Sequence, residues 1–60
     1  MIIDNNATYE VTKYDRNITT EVGPLPGADV KALLKGYTYD ETFEMWFSKR
    51  GTIGYDVRKA

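Results

Sequence analysis

The sequence predicts a small α+β domain in the order ββαββ, in which one helix packs on one face of a four-stranded antiparallel sheet. Polar and apolar residues alternate over residues 8–14 and again over residues 18–22, as they do in half-buried strands. A short run of good helix formers follows at residues 28–35. The aromatic residues then concentrate in residues 37–57, which we interpret as a second hairpin. The 60 residues are expected to form a single domain.

The first hairpin is predicted from residues 8–22. Its two strands are rich in β-branched and aromatic residues, which suit a pleated surface. The turn-forming sequence Asp15-Arg16-Asn17 separates the two strands. An even loop of two or four residues places Tyr9 and Val11 on the same face as three residues of the second strand, Ile18, Thr20 and Val22.

A Gly- and Pro-rich segment, residues 23–27, is expected to end the second strand, because prolines remove backbone donors. The predicted helix carries Asp29 in its first turn and Lys35 in its last, both matched to the helix dipole, and Gly36 is placed to end it. Its apolar stripe consists of Val30, Leu33 and Leu34, with Tyr37 as a possible fourth member. So short a helix is not stable alone in water, and we expect it to pack on the sheet.

Residues 37–57 are predicted to form a hairpin around the three-residue loop Lys49-Arg50-Gly51, whose glycine can adopt the left-handed conformation that such loops need. Counting outwards from this loop predicts three apolar pairs on the face that packs against the helix: Phe47 with Ile53, Met45 with Tyr55, and Phe43 with Val57. Trp46 then falls opposite Gly54 on the other face, where an aromatic ring can cover a residue with no side chain.

A second helix over residues 39–50 is the alternative for this part of the chain. Thr38 and Glu41 match a capping box, and Gly51 is placed to cap the other end. Two helices followed by a short strand would resemble a winged helix-turn-helix. We favour strands, because the helix leaves Met45 outside the apolar stripe and leaves residues 52–58 without a nearby strand partner.

Composition limits the classes of function. The chain has no Cys and no long apolar run, which fits a cytoplasmic protein without a membrane span. A domain this small, without a disulfide, often associates with itself, so a homodimer is expected. Residues 1–48 hold four basic and eight acidic side chains, whereas residues 49–60 hold four basic and one acidic. The C-terminal part is therefore expected to be locally positive.

Catalytic side chains are scarce. There is no His, and Ser48 is the only serine, so the usual nucleophile–base pairs and nitrogen metal ligands are missing. The carboxylates of Asp40, Glu41 and Glu44 are expected to form a solvated surface, since they lack the ligand spacing of a calcium loop. We therefore expect no enzyme activity, no cofactor and no metal.

Protein binding is the function that the sequence favours. One helix covers one face of a sheet, which leaves Trp46, together with Tyr14 and Tyr39 if they point the same way, as a predicted protein interface. The interface would join two copies of the chain or dock another protein. The alternative is binding of DNA or RNA, in which Trp46 stacks on a base and four basic residues contact phosphates: Lys49, Arg50, Arg58 and Lys59.

The element order, in a chain of this size without Cys or His, is similar to that of very small proteins that phages and mobile elements use to bind host enzymes. Phage inhibitors of uracil-DNA glycosylase are among them. The resemblance implies a non-catalytic regulator or inhibitor. The helix reads Asp29-Val30-Lys31 and lacks the acidic and aromatic pair with which such an inhibitor imitates DNA. No residue role is carried over from that group.

Overall fold

The chain forms five strands and one helix in the order ββαβββ, in a computed structural model that describes residues 1–60. The bounds are β1 Thr8–Asp15, β2 Ile18–Pro26, α1 Gly27–Leu33, β3 Thr38–Asp40, β4 Met45–Phe47 and β5 Ile53–Lys59. All strands belong to one antiparallel sheet with the order β2-β1-β5-β4-β3. The predicted α+β class, with one antiparallel sheet and one helix, is confirmed. The predicted count of four strands is wrong, because residues 38–47 supply two short strands. No helix has both the length and the apolar composition needed to cross a membrane.

The first hairpin agrees with the sequence prediction. A two-residue turn, Arg16-Asn17, joins β1 to β2, so Asp15 lies opposite Ile18. Ile18 and Thr20 therefore share a face with Tyr9 and Val11, as the even loop requires. A bulge then interrupts the register, because Thr12 pairs with Glu21 while Val11 pairs with Gly23. The extra residue, Val22, packs against the core.

Strand β2 does not end at the prolines as predicted but continues to Pro26. The amide of Gly27 donates to the carbonyl of Ala7 at 2.8 Å. Hydrogen-bonded and non-hydrogen-bonded pairs alternate along an antiparallel ladder. The amides of Leu25 and Gly23 therefore also point to β1, whereas the nitrogens of Pro24 and Pro26 point to the unpaired edge of the sheet. Since β2 is an edge strand, neither proline removes a hydrogen bond from the sheet.

The core lies between α1 and one face of the sheet. Seven buried side chains form it: Ile3, Tyr9, Val11, Val30, Leu34, Tyr55 and Val57. The predicted apolar stripe is confirmed, since Val30 and Leu34 are buried and Leu33 packs against them. The predicted end of the helix is wrong, because α1 ends at Leu33 with Leu34 as its C-cap, and Lys35 lies beyond its last turn. The helix approaches the N-terminal segment closely at Gly27, where an added Cβ would lie 1.8 Å from the carbonyl oxygen of Asp4.

A second helix over residues 39–50 is not formed; β3, a four-residue turn and β4 occupy this stretch. The side chain of Asp40 begins the turn, because its Oδ1 accepts hydrogen bonds from the amides of Thr42 at 2.8 Å and Phe43 at 3.4 Å. Glu44 ends it with a φ of 54°. Phe43 therefore lies in a turn, and its predicted strand pairing with Val57 is wrong.

The register of β4 and β5 differs by one residue from the prediction. The amide of Ser48 donates to the carbonyl of Ile53 at 2.8 Å, which makes the loop four residues long, 49–52, rather than three. Gly51 has the expected left-handed conformation, with a φ of 74°. Trp46 consequently pairs with Tyr55, and Phe47 pairs with Gly54.

This shift exchanges the two faces of β4, since neighbouring side chains of a strand point to opposite sides. Trp46 joins Tyr55 on the helix side, where it packs against the core. Met45 and Phe47 move to the side without a helix. The six apolar residues predicted to share one face are therefore divided between two.

Candidate binding surface

The sheet face that α1 leaves uncovered carries a cluster of apolar side chains. We call this side the open face and define its apolar cluster as Tyr14, Phe43, Met45 and Phe47. Gly54 pairs with Tyr14 on β1 and with Phe47 on β4, which places these two aromatic residues on either side of the glycine. The ring of Phe43 meets the ring of Phe47 edge-on, with 5.9 Å between the centroids.

Two side chains of the cluster close over Gly54. A Cβ added to Gly54 would lie 3.0 Å from Cε of Met45 and 3.1 Å from Cε1 of Phe47. The sequence predicted an aromatic cover for this glycine and assigned it to Trp46; the register gives that position to Phe47. Phe43 and Tyr14 remain 66% and 38% exposed, so the outer part of the cluster is open to solvent.

Charged residues surround the apolar cluster. The strand register places four carboxylates on the open face, those of Glu10, Glu21, Asp40 and Asp56, and one guanidinium, that of Arg58. Nε of Arg58 donates to Oδ1 of Asp56 at 3.4 Å, but the Arg58 side chain is 79% exposed. An exposed ion pair of this kind is screened by water and contributes little to stability. The open face is therefore apolar in part and acidic in net charge.

A cavity of about 330 Å³ adjoins the cluster, where β4 begins at Met45 while β5 continues to Lys59. Eight residues line it. Five are apolar or aromatic, namely Met1, Tyr39, Phe43, Met45 and Val57, and three are charged, namely Glu44, Asp56 and Arg58. This volume lies at the lower end of the range for small-molecule sites. Phe43 and Met45 belong to both features, whereas Tyr39 and Val57 belong to the helix side, so the cavity lies at the margin of the sheet beside the open face.

The three residues predicted as a protein interface do not lie together. Tyr39 and Trp46 pair across β3 and β4 on the helix side, with 5.2 Å between their ring centroids. Tyr14 lies on the open face. Trp46 is half-buried against the core, and its Nε1 is buried without a hydrogen-bond partner. The prediction that Trp46 lies on the face without a helix is therefore wrong, whereas Tyr14 does lie on that face.

The four basic residues predicted to contact nucleic acid are also separated. Lys49 and Arg50 lie in the loop before β5, and Arg58 and Lys59 lie at its other end. Six residue steps along a strand, from Ile53 to Lys59, span roughly 20 Å. Arg58 and Lys59 in turn point to opposite faces of the sheet. The fold therefore does not gather these cations into one patch.

Ser48 is engaged in the structure of the loop. Its Oγ accepts a hydrogen bond from the amide of Ile53 at 3.1 Å. No group of three or more acidic side chains lies close enough together to hold a metal ion. Neither the serine nor the carboxylates form an arrangement with an evident catalytic geometry.

Sequence reasoning missed Phe43, Met45 and Phe47 as surface residues. One signal was available, because Asp40 with Thr42 and Phe43 after it has the spacing of an Asx turn. A turn at this point would have removed Phe43 from the strand. The left-handed conformation of Glu44 had no sequence signal.

The fold and the surface define a small α+β protein with a one-sided sheet, whose uncovered side is apolar and acidic. No family model, no curated protein and no solved structure matches the chain. A function is therefore proposed from the open face itself.

Proposed function

We propose that the protein is a small non-catalytic interaction module of the cytoplasm that regulates or inhibits a larger protein, as small proteins of phages and mobile elements do. The observation that carries this proposal is the apolar cluster on the open face. Its most prominent member, Phe43, keeps 66% of its surface in water. Aromatic side chains at the centre of an apolar patch are the residues that most often anchor protein interfaces.

The edges of the sheet favour binding by the face. A partner strand adds to a sheet only where the edge offers free amides and carbonyls. Two prolines occupy the second half of edge strand β2, and the other edge strand, β3, is three residues long. The prolines therefore hinder pairing along the second half of β2, and β3 offers a partner strand three residues, so we favour the open face over these edges as the binding surface.

A role in binding also agrees with the chemistry of the chain. There is no His or Cys, and the hydroxyl of the single serine, Ser48, accepts a hydrogen bond that stabilises a loop. The nucleic-acid alternative has less support, because affinity for a phosphate backbone grows with the number of cations that contact it together. The four basic residues lie in two separated pairs, and the open face carries mainly carboxylates.

A pair of matched variants tests the proposal. Phe43→Ser removes the exposed aromatic ring of the open face, and Ile18→Ser removes an apolar side chain that is also 66% exposed but lies at the β1–β2 hairpin on the helix side. Tagged forms of both variants and of the unmodified protein would be used to capture binding partners from the native lysate, with quantification by mass spectrometry.

We expect a partner that binds the unmodified protein and Ile18→Ser but is lost with Phe43→Ser. Since both changes are on the surface, both variants should keep the circular dichroism spectrum of the unmodified protein. Equal capture by all three forms would show that the open face is not the interface and would refute the proposal.

A further inference from the structure

We infer that the open face binds a different protein through a contact surface rich in Lys and Arg, and that it does not bind a second copy of this chain. The homodimer expected from the size of the chain would use a different surface. The inference rests on the proposed function and names the chemistry of the partner.

The open face has a formal charge of −3, from four carboxylates and one guanidinium: Glu10, Glu21, Asp40, Asp56 and Arg58. The turn that presents Phe43 adds Glu41 and Glu44, both exposed. The most exposed aromatic residue of the face thus lies within a five-residue segment that contains three carboxylates, Asp40–Glu44.

A second copy fits this surface poorly. The two subunits of a symmetric dimer contribute the same patch to their interface. Two open faces would therefore bring like charges together around the apolar cluster, which opposes association. A partner with cationic side chains around an apolar centre would instead find complementary charge at the rim and the aromatic cluster in the middle.

The adjoining cavity suits the side chains of such a partner. Its apolar lining residues, Met1, Met45 and Val57, can cover the aliphatic stem of a Lys or Arg. Its charged lining residues are two carboxylates, Glu44 and Asp56, and the guanidinium of Arg58, which is already paired with Asp56. The aromatic rings of Tyr39 and Phe43 also line it, and aromatic faces attract cations. Both the rim and the cavity therefore favour the same chemistry.

Two synthetic amphipathic peptides of equal length test the inference, one composed of Leu and Lys and the other of Leu and Glu. Each would be titrated into the ¹⁵N-labelled protein, with chemical shifts followed by NMR. We expect the basic peptide to shift the amides of β1, β4, β5 and the 41–44 turn, and the acidic peptide to shift none of them. The shifts should weaken as salt is added, because exposed charges are screened.

Two charge reversals, one on the open face and one on the helix, show whether the charge of the open face matters. Glu21→Lys changes an exposed residue of the open face, and Asp29→Lys makes the same change on the exposed side of α1. Glu21→Lys should weaken binding of the basic peptide by about fivefold, an effect of the size expected for exposed charge pairs. Asp29→Lys should leave the affinity close to that of the unmodified protein.

Equal binding of the acidic peptide, equal effects of the two charge reversals, or shifts confined to the helix side would each overturn the inference. Sedimentation of the free protein gives a separate test. A dimer that dissociates with Phe43→Ser would show that a second copy covers the open face. Loss of the lysate partner with Phe43→Ser but not with Glu21→Lys would leave the proposed function standing and refute the basic partner alone.

Discussion

Trp46 lies between the ring of Tyr39 and the core on the helix side of the sheet, so its contribution is to stability. Truncation to Ala should lower the free energy of unfolding by about 3 kcal/mol, through lost apolar contacts and the cavity left behind. Trp46→Phe should cost much less, because it keeps an aromatic ring and removes an Nε1 that is buried without a partner.

Urea denaturation of the two variants checks this prediction. Phe43→Ala serves as the control, since Phe43 is largely exposed and should change the stability by less than about 1 kcal/mol. A Trp46→Ala variant as stable as Phe43→Ala would show that Trp46 does not belong to the packed side of the sheet.

Tyr55 makes stability depend on pH in the alkaline range. Burial raises the pKa of its phenol above the ordinary value, and the neighbouring Tyr37 adds to the rise. The folded state thus favours the neutral phenol. The resulting stabilisation is complete below the ordinary pKa of tyrosine, about 10, and is lost as the pH rises through the folded pKa.

The prediction is tested by measuring the free energy of unfolding of the unmodified protein and of Tyr55→Phe, at pH 8 and at a pH above the ordinary tyrosine pKa of about 10. The free energy of unfolding should fall more steeply for the unmodified protein, because the variant lacks the phenol. Parallel pH profiles for the two proteins would contradict the assignment. Tyr14→Phe is a suitable control, since Tyr14 is partly exposed.

At the scale of an element, edge strand β2 is protected by its prolines. Pro24 presents no N–H to the open edge, so Pro24→Thr would add a free donor there without removing a bond to β1. We expect the monomer to keep its stability and the protein to self-associate at lower concentration. Light scattering over a concentration series measures this.

Ala28→Thr adds the same side chain on the exposed surface of α1 and serves as the control, because it creates no edge donor. Its scattering should match that of the unmodified protein. If Pro24→Thr also scattered like the unmodified protein, the proline would not be what protects this edge.

At the scale of the whole molecule, the strands differ in their local stability against unfolding. Strand β1 pairs with β2 and β5 along nearly its whole length, whereas β3 has three residues and one partner. Hydrogen exchange should therefore be slowest for the amides of Val11 and Thr12 and faster by orders of magnitude for those of Thr38 and Asp40. Comparable protection of β1 and β3 would contradict this order of stability.

Local patterns determined much of this molecule. The first hairpin follows from alternation at a spacing of two and a turn sequence, and α1 follows from an apolar stripe between Asp29 and Gly36. The left-handed conformation of Gly51 was also predicted from its place in a loop. These features depend on residues within a few positions of one another, so the sequence alone was sufficient for them.

Only the tertiary structure decided which side of the sheet Trp46 and Phe47 occupy. Loops of three and of four residues after Ser48 both suit the local sequence, but they differ by one residue in register, and a shift of one residue turns every side chain of β4 to the other face. The choice was made by distant contacts. Trp46 packs beside Tyr55 on the helix side of the sheet, and this packing leaves Met45 and Phe47 on the other side, where they form the candidate binding surface with Tyr14 and Phe43.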